Sequence, residues 1–307
     1  MPKKNKRIPL VFVLILIFFT ALAGFFFFTQ EQDQSLPQEN PAPAGFTIVV
    51  LPDTQHYSRN YPAIFQSQTQ WVVANEEKEN IVFLTHLGDI VDSQTLDFEW
   101  KNADQAMSLL DGIVPYGLSI GNHDDKKKFN QYFPVSRFED YSWYGGHYGQ
   151  GSENNYQFFQ AEGLEFIIFH LEYLPADKVL LWADKILEQY PEKRAIVTSH
   201  ACLDYAGYRD GTGQRIFDQF KDNENWFLLL CGHIHAEAHQ AEIVAGRPFY
   251  QLLADYQDRV NGGNGLLRLL RFVPDENKIY VRTYSPYTGE YEVDENSEFE
   301  LDYKMKD

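Results

Sequence analysis

The chain has 307 residues, 44% of them hydrophobic, which suits a large packed domain and excludes overall disorder. All 44 acidic residues lie beyond position 30, where 22 of the 26 basic residues face them; that net charge of −22 argues against nucleic acid as a partner. An anionic ligand would therefore have to be drawn in by something local, and bound cations are the obvious means.

Lys3, Lys4, Lys6 and Arg7 form a basic start at residues 1–7, and Ile8 to Phe28 follows as a 21-residue run without a charge. At ~1.5 Å per residue such a helix spans roughly 30 Å, the thickness of a bilayer's hydrocarbon core. Ala21-Leu22-Ala23 offers a small-x-small cleavage pattern, but cutting there would expose Gly24 to Phe28 on a soluble protein. A retained transmembrane helix is therefore expected, with a cleaved signal peptide as the alternative. The basic residues put the short end in the cytoplasm and the remainder outside it. No cysteine near this segment could carry a lipid. Residues 29–45 (TQEQDQSLPQENPAPAG) have too little apolar material to fold and read as a disordered, semi-extended spacer.

The folded unit is expected over residues 46–307, without internal repeat or second linker. Phe46 to Pro52 and Ile81 to Thr85 are apolar, β-branched runs that read as buried strands, with a helix over Pro62 to Glu79 between them. A second helix near Phe98 to Leu110 leads to a strand over Val114 to Ile120, giving parallel βαβ units. Further strands are expected at Glu165 to Leu171, Ala195 to Thr198 and Trp226 to Leu230. Pro248 to Leu253, Gly265 to Phe272 and Lys278 to Tyr284 follow without long helices, and these late strands are expected to complete a second sheet. The fold class is α/β.

Polar clusters stand where these strands end: Asp53-Thr54-Gln55, Gly88-Asp89-Ile90-Val91-Asp92, Gly121-Asn122-His123-Asp124, His200, and Gly232-His233-Ile234-His235. Asp53 to Asp89 and Asp89 to Asn122 are 36 and 33 residues apart, about one βαβ unit each, so the clusters return to the carboxyl edge where open α/β sheets bind ligands. Asp and Asn offer hard oxygens and His offers nitrogen. With no cysteine among them, the set suits Mn, Fe or Zn in a metal site. The glycines Gly88, Gly121 and Gly232 would let the backbone turn sharply off each strand. An isolated Gly-Asp or Asn-His pair is ordinarily a turn or cap; the ordered co-occurrence is what points to function.

This order resembles the calcineurin-like metallophosphoesterase superfamily, whose pattern is D-x-H, GDxxD, GNH(D/E), a lone H, then GHxH. The resemblance covers roughly residues 46 to 240 and four of the five motifs in full. It implies a two-sheet β-sandwich flanked by helices and a pair of divalent ions. By the same resemblance Asp53 and His235 hold the first ion, Asn122, His200 and His233 hold the second, and Asp89 bridges both. The chain departs at D-x-H, where Gln55 stands, and some family members use Gln there. Gln55 is the expected weak amide-oxygen ligand, while His56, next along an extended chain, should point away.

The implied activity is hydrolysis of phosphate mono- or diesters by a hydroxide activated between two metals, outside the cytoplasm. His123 would protonate the leaving group, and Asp92 would hydrogen-bond His123 and keep it oriented and charged. Asp124 completes the GNHD string, with a cap or turn role equally open. The aromatic stretch Lys126 to Gln157 is expected to overhang the site. Tyr205, Tyr208 and Arg209, in the loop after His200, are candidate substrate contacts. His86, His147, His170 and His239 match no motif and read as structural.

Cys202 and Cys231 each sit two residues from a motif histidine and could pair, although two buried free thiols are the simpler reading. No protein partner is inferable. Two other function classes compete with the esterase: a membrane-tethered binding protein that keeps its metal for folding or recognition, and a protein serine/threonine phosphatase. Intact His123 and Asp92 count against the first, since a binder needs no leaving-group acid. The acidic domain and external location make phosphoproteins a less natural substrate.

Overall fold

The computed structural model describes residues 45–306. Strand β1 (Phe46–Leu51) shows why its run is apolar throughout: Phe46, Ile48 and Val50 face one hydrophobic cluster, Val49 and Leu51 another, so both sides of the strand are buried. Helices α1 (Gln55–Asn60) and α2 (Pro62–Ala74) lead to β2 (Ile81–His86), and α3 (Asp97–Met107) leads to β3 (Tyr116–Leu118). These three strands pair in parallel, β1 with β2 and β2 with β3, as the βαβ reading expects.

Two local expectations change. The helix expected to run to Glu79 stops at Ala74, where Asn75 turns back and its Nδ2 donates to the Trp71 carbonyl at 2.8 Å. Gln55 and His56 lie in helix α1, so their side chains diverge by about 100° and not by the half-turn of an extended chain.

After α4 (Lys126–Tyr132) the chain crosses to a second sheet. It contains β4 (Tyr144–His147), β5 (Asn155–Ala161), β6 (Leu164–Leu171), β7 (Arg194–Ser199), β8 (Trp226–Cys231), β9 (Glu237–Val244) and β10 (Arg247–Ala254), in the order β4-β5-β6-β7-β8-β10-β9. Helix α5 (Asp177–Gln189) connects β6 to β7 and α6 (Gly211–Phe220) connects β7 to β8; β6, β7, β8 and β10 are parallel. The chain then returns through β11 (Leu267–Val273), β12 (Lys278–Ser285), β13 (Glu290–Glu292) and β14 (Glu298–Asp302).

Those last strands do not complete the second sheet. β11 pairs antiparallel with β1, and β12, β13 and β14 build outward from it, giving a first sheet ordered β13-β12-β11-β1-β2-β3 with β14 also on β12. Of the three late strands expected there, β10 alone joins the second sheet. The reason is the open edge of β1 opposite β2, whose backbone groups need partners, and Phe272 stacks on Phe46 with ring centroids 4.8 Å apart.

One hydrophobic cluster lies between the two mixed sheets, one between the first sheet and the early helices, and one between the second sheet and α5 and α6. The helix-flanked sandwich is thus present. Among the described residues no helix is long and apolar enough to cross a membrane. The run Ile8 to Phe28 and all but the last residue of the spacer lie outside the described residues.

Cys202 and Cys231 form a disulfide, against the free-thiol reading. β7 and β8 are neighbours with Thr198 opposite Leu230, so the two residues leave adjacent strands and meet with Cα atoms 5.7 Å apart.

Candidate functional site

Every motif cluster sits at the carboxyl end of a parallel strand: Asp53 after β1, Asp89 after β2, Asn122 after β3, His200 after β7 and His233 after β8. Two sheets therefore share one site. Asp89 has φ +50° and His233 φ +72°, left-handed values that non-glycine residues seldom adopt and that concentrate at functional loops. Gly88, at φ +101°, turns the chain into this conformation. Gly121 serves differently: its φ is ordinary, but a Cβ there would stand 2.0 Å from Asp89 Oδ1, so its role is close approach, not a turn.

His200 is fully buried and its Nδ1 lies 3.0 Å from the Leu87 carbonyl, so Nδ1–H donates there and Nε2 is aimed inward. That Nε2 is 3.2 Å from Asp89 Oδ2, 3.0 Å from Asn122 Oδ1 and 3.2 Å from His233 Nδ1. Two imidazole nitrogens, a carboxylate and an amide oxygen thus converge on one point, which is the donor set of a borderline divalent ion. Burial would depress His200, but the hydrogen bond and charge of Asp89 outweigh it and hold its pKa above the ordinary histidine value. Asp89 is held below the carboxylate range, where burial is outweighed by His200 and the His123 amide.

Asp53 lies alongside, its Oδ1 3.7 Å from His200 Nδ1. It is 2% exposed and neither of its oxygens has a hydrogen-bond partner among the described residues. Burial first, then the carboxylates of Asp255 and Asp89, push its pKa well above the usual range. An orphaned, buried carboxyl beside two others is what a cation would resolve, so these residues fit a second metal. Gln55, 3% exposed, donates its amide to Gln257 Oε1. His56 is only half-buried and stands at the rim. His235 pairs through Nδ1 with Asp258 Oδ2 at 2.7 Å and is not drawn into the His200 cluster.

The leaving-group side departs from expectation. His123 Nδ1 lies 2.7 Å from the backbone carbonyl of Asp92, while the Asp92 carboxylate is 4.0 Å away and pairs with Arg59. The expected side-chain hydrogen bond is thus replaced by a main-chain one, because Arg59, at the end of α1, claims the carboxylate. Asp124 is a clamp between two motif loops: its buried carboxylate accepts from the amides of Gly121 at 2.8 Å, Ile90 at 2.9 Å and Val91 at 3.1 Å.

Of the candidate substrate contacts, two are exposed and one is engaged by other side chains. Tyr205 and Tyr208 are 79% and 68% exposed, and Arg209 is committed to an ion pair with Glu242, a 2.8 Å bond to Gln251 and the face of Phe217. Within the aromatic stretch after Asp124, Phe129, Phe133 and Phe138 pack inward against the first sheet, while Lys126 and the Asn154 side chain both engage Glu172, next to Tyr173. Sequence reasoning missed Tyr173, whose ring centroid is 5.6 Å from that of His200 and 5.1 Å from that of His233. It also missed Asp255, Gln257 and Asp258. The signal was available: Asp255 closes an apolar strand, as Asp53 does.

The comparisons with known proteins agree with this geometry. The calcineurin-like phosphoesterase profile matches residues 46–237. The chain is 35% identical over 287 residues to the uncharacterized protein YvnB of Bacillus subtilis (strain 168), covering 87% of this chain and 22% of that one. It is 28% identical over 174 residues to a protein of Arcobacter nitrofigilis named as a probable glycerophosphodiester phosphodiesterase, GpdQ, covering 52% of this chain and 57% of that one. The chain thus spans only part of these relatives. In fold it is similar to a dimetal phosphatase from Danio rerio, with TM-score 0.58, 13% identity, and 86% of this chain and 100% of that one covered. It is likewise similar to the purple acid phosphatase PPD1 of yellow lupin, with TM-score 0.56, 12% identity, and coverage of 86% and 55%. With that profile covering most of the chain and its motifs meeting in one site, the chain belongs to the calcineurin-like phosphoesterase family.

Proposed function

We propose that this protein hydrolyses phosphate esters with the aid of two divalent ions, drawn from Mn, Fe or Zn. The observation that carries this reading is the convergence of Asp89, Asn122, His200 and His233 beside the orphaned carboxyl of Asp53. Asn122, His200 and His233 would hold one ion; Asp53, Gln55 and His235 the other; Asp89 would serve both. When bound, the ions supply Lewis-acid activation of water and neutralise phosphoryl charge.

The chain's own residues do the rest. His123 keeps Nδ1–H on the Asp92 carbonyl, so the proton it can give to a departing alkoxide sits on Nε2. Its backbone amide donates to Asp89 Oδ1 at 2.8 Å, which ties the acid to the metal loop. The half-buried ring of Tyr173 walls the side of His200 and His233.

The relative named for glycerophosphodiesters puts diesters first among the substrates to try. For location, we read Ile8 to Phe28 as a membrane anchor with the domain outside the cytoplasm. A disulfide between Cys202 and Cys231 supports this, since such bonds persist in oxidising compartments.

The test is the purified full-length chain, stripped with chelator and resupplied with Mn, assayed on nitrophenyl phosphate and bis-nitrophenyl phosphate. Hydrolysis that chelation removes and metal restores is expected. Absence of bound metal together with absence of hydrolysis would refute the reading. Fractionation tests the location: the protein should remain with membranes at high salt and be accessible from outside, whereas a mature chain beginning at Gly24 would show a cleaved signal.

A further inference from the structure

Beyond the family profile, which ends at residue 237, the chain sends one more loop into the site. β10 runs parallel to β8, so its carboxyl end emerges at the same edge as His233. The residues that follow each meet one residue of the first metal position: Asp255 stands beside Asp53, Gln257 takes the amide of Gln55, and Asp258 pairs with His235.

The hydrogen bonds have a direction. The Asp255 carboxylate accepts from Gln257 twice, from its backbone N–H at 3.0 Å and from Nε2 at 3.2 Å. Gln257 must therefore present its amide nitrogen to Asp255 and its oxygen to Gln55. Gln55 in turn presents its nitrogen to Gln257, which leaves the Gln55 oxygen free for the site. The position loses the strong imidazole donor of the usual D-x-H pattern and gains a neutral amide. Beside it lie two buried carboxyls, Asp53, whose oxygens have no hydrogen-bond partner among the described residues, and Asp255 at 1% exposure, tied to Gln55 through Gln257.

We propose that Asp255 is a further ligand of the first metal position, its carboxylate compensating for Gln55, with Gln257 and Asp258 as positioning residues. This rests on the two-ion reading above and deepens it.

The test titrates Mn into the chelator-stripped, full-length protein by calorimetry, with elemental analysis for stoichiometry. Wild type should bind two ions. Asp255→Asn should keep one site at wild-type affinity and weaken the other by at least about 10-fold to 100-fold, with Asp255→Glu recovering part of the loss. In chelator, Asp255→Asn should melt close to wild type, because the loss of one hydrogen bond from Gln257 is offset by removal of a carboxylate from beside Asp53; a purely structural aspartate would give a clearly lower melting point and unchanged metal binding. Should Asp255→Asn fail to fold, Gln257→Leu, which removes the side-chain bonds to both Gln55 and Asp255, should weaken the same single site. Two wild-type ions with both affinities unchanged in the variant overturn the assignment of Asp255 alone. A wild-type chain that takes up no metal overturns the two-ion reading and this inference with it.

Discussion

His123 is oriented by Asp92 through the main chain: Nδ1 lies 2.7 Å from the carbonyl oxygen, whereas the carboxylate is 4.0 Å away and bound to Arg59. A carbonyl survives mutation of its own side chain. Asp92→Asn should therefore lose much less than His123→Ala, which should lose about 10²-fold to 10⁴-fold in kcat while keeping its metal. The His123→Ala deficit should shrink for a nitrophenyl leaving group, which needs no proton. Comparing both variants on alkyl and nitrophenyl esters decides it; an equal deficit on the two substrates would remove His123 from the acid role.

Gln55 and His56 are separated by the structure more sharply than by their spacing, one buried against Gln257 and the other at the rim. Gln55→Ala should lower affinity at one of the two metal positions, and His56→Ala should change little. Gln55→His replaces an amide oxygen by an imidazole and should raise affinity there and shift preference from Mn toward Zn. Metal titration of the three variants is the measurement. A large loss in His56→Ala with none in Gln55→Ala would reverse the assignment.

The disulfide closes a loop between residues separated by 29 positions. Its chain-entropy effect is about 3 to 4 kcal/mol. At roughly 2 to 4 °C per kcal/mol for a domain of this size, the reduced protein should melt about 10 °C lower than the oxidised one. Thermal melts of the wild type and of a Cys202→Ala, Cys231→Ala chain, each with and without reductant, check this. A reductant effect of the same size in the double variant would place its cause elsewhere.

Burial holds His86 and His170 down to a pKa of about 3, with neighbouring histidines adding to the effect. The unfolded chain takes up these protons near the ordinary histidine value of about 6.5, so between that pH and 3 it binds more protons than the folded one. Stability from these groups is complete above that value and falls with the pH below it, by up to about 1.4 kcal/mol per pH unit for each. His170→Gln should remove one such increment from the slope between pH 6 and 4. Taking the difference from wild type cancels the buried carboxyls, whose raised pKa values act in the opposite sense. Parallel curves from urea denaturation would mean that His170 is already protonated or accessible.

How much was legible follows from what each residue needed. Asp89, Asn122, His200 and His233 could be placed because each ends an apolar run whose direction is set by a βαβ connection, so spacing along the chain translates into one edge in space. Asp255 obeys the same rule after Pro248 to Leu253, but it lies past the last shared motif and stood without companions in sequence. The Asp92 carboxylate lies farther from His123 than expected because Arg59 reaches it from α1, a helix of six residues with too few apolar positions to show a period. β4 and β5 lie at one edge of the second sheet, where Gly145 and Gly146 and the partial burial of β4 dilute the alternation that identifies a strand. Arg209 read as available because no local pattern reveals Glu242, which arrives on β9.

The pairing of β1 with β11 has a kinetic side. Phe46 and Phe272 are register partners far apart in the chain, and β1 lies inside its sheet, between β2 and β11. During synthesis β1 must wait for β11, the eleventh of the fourteen described strands, before both its edges are covered. Such distant pairing makes for slow folding and a long-lived exposed strand edge. A chain that stops short of β11 leaves β1 as an uncovered apolar edge. Truncation from the C-terminus should therefore favour aggregation over a smaller folded phosphoesterase, even though every residue of the shared motifs would still be present.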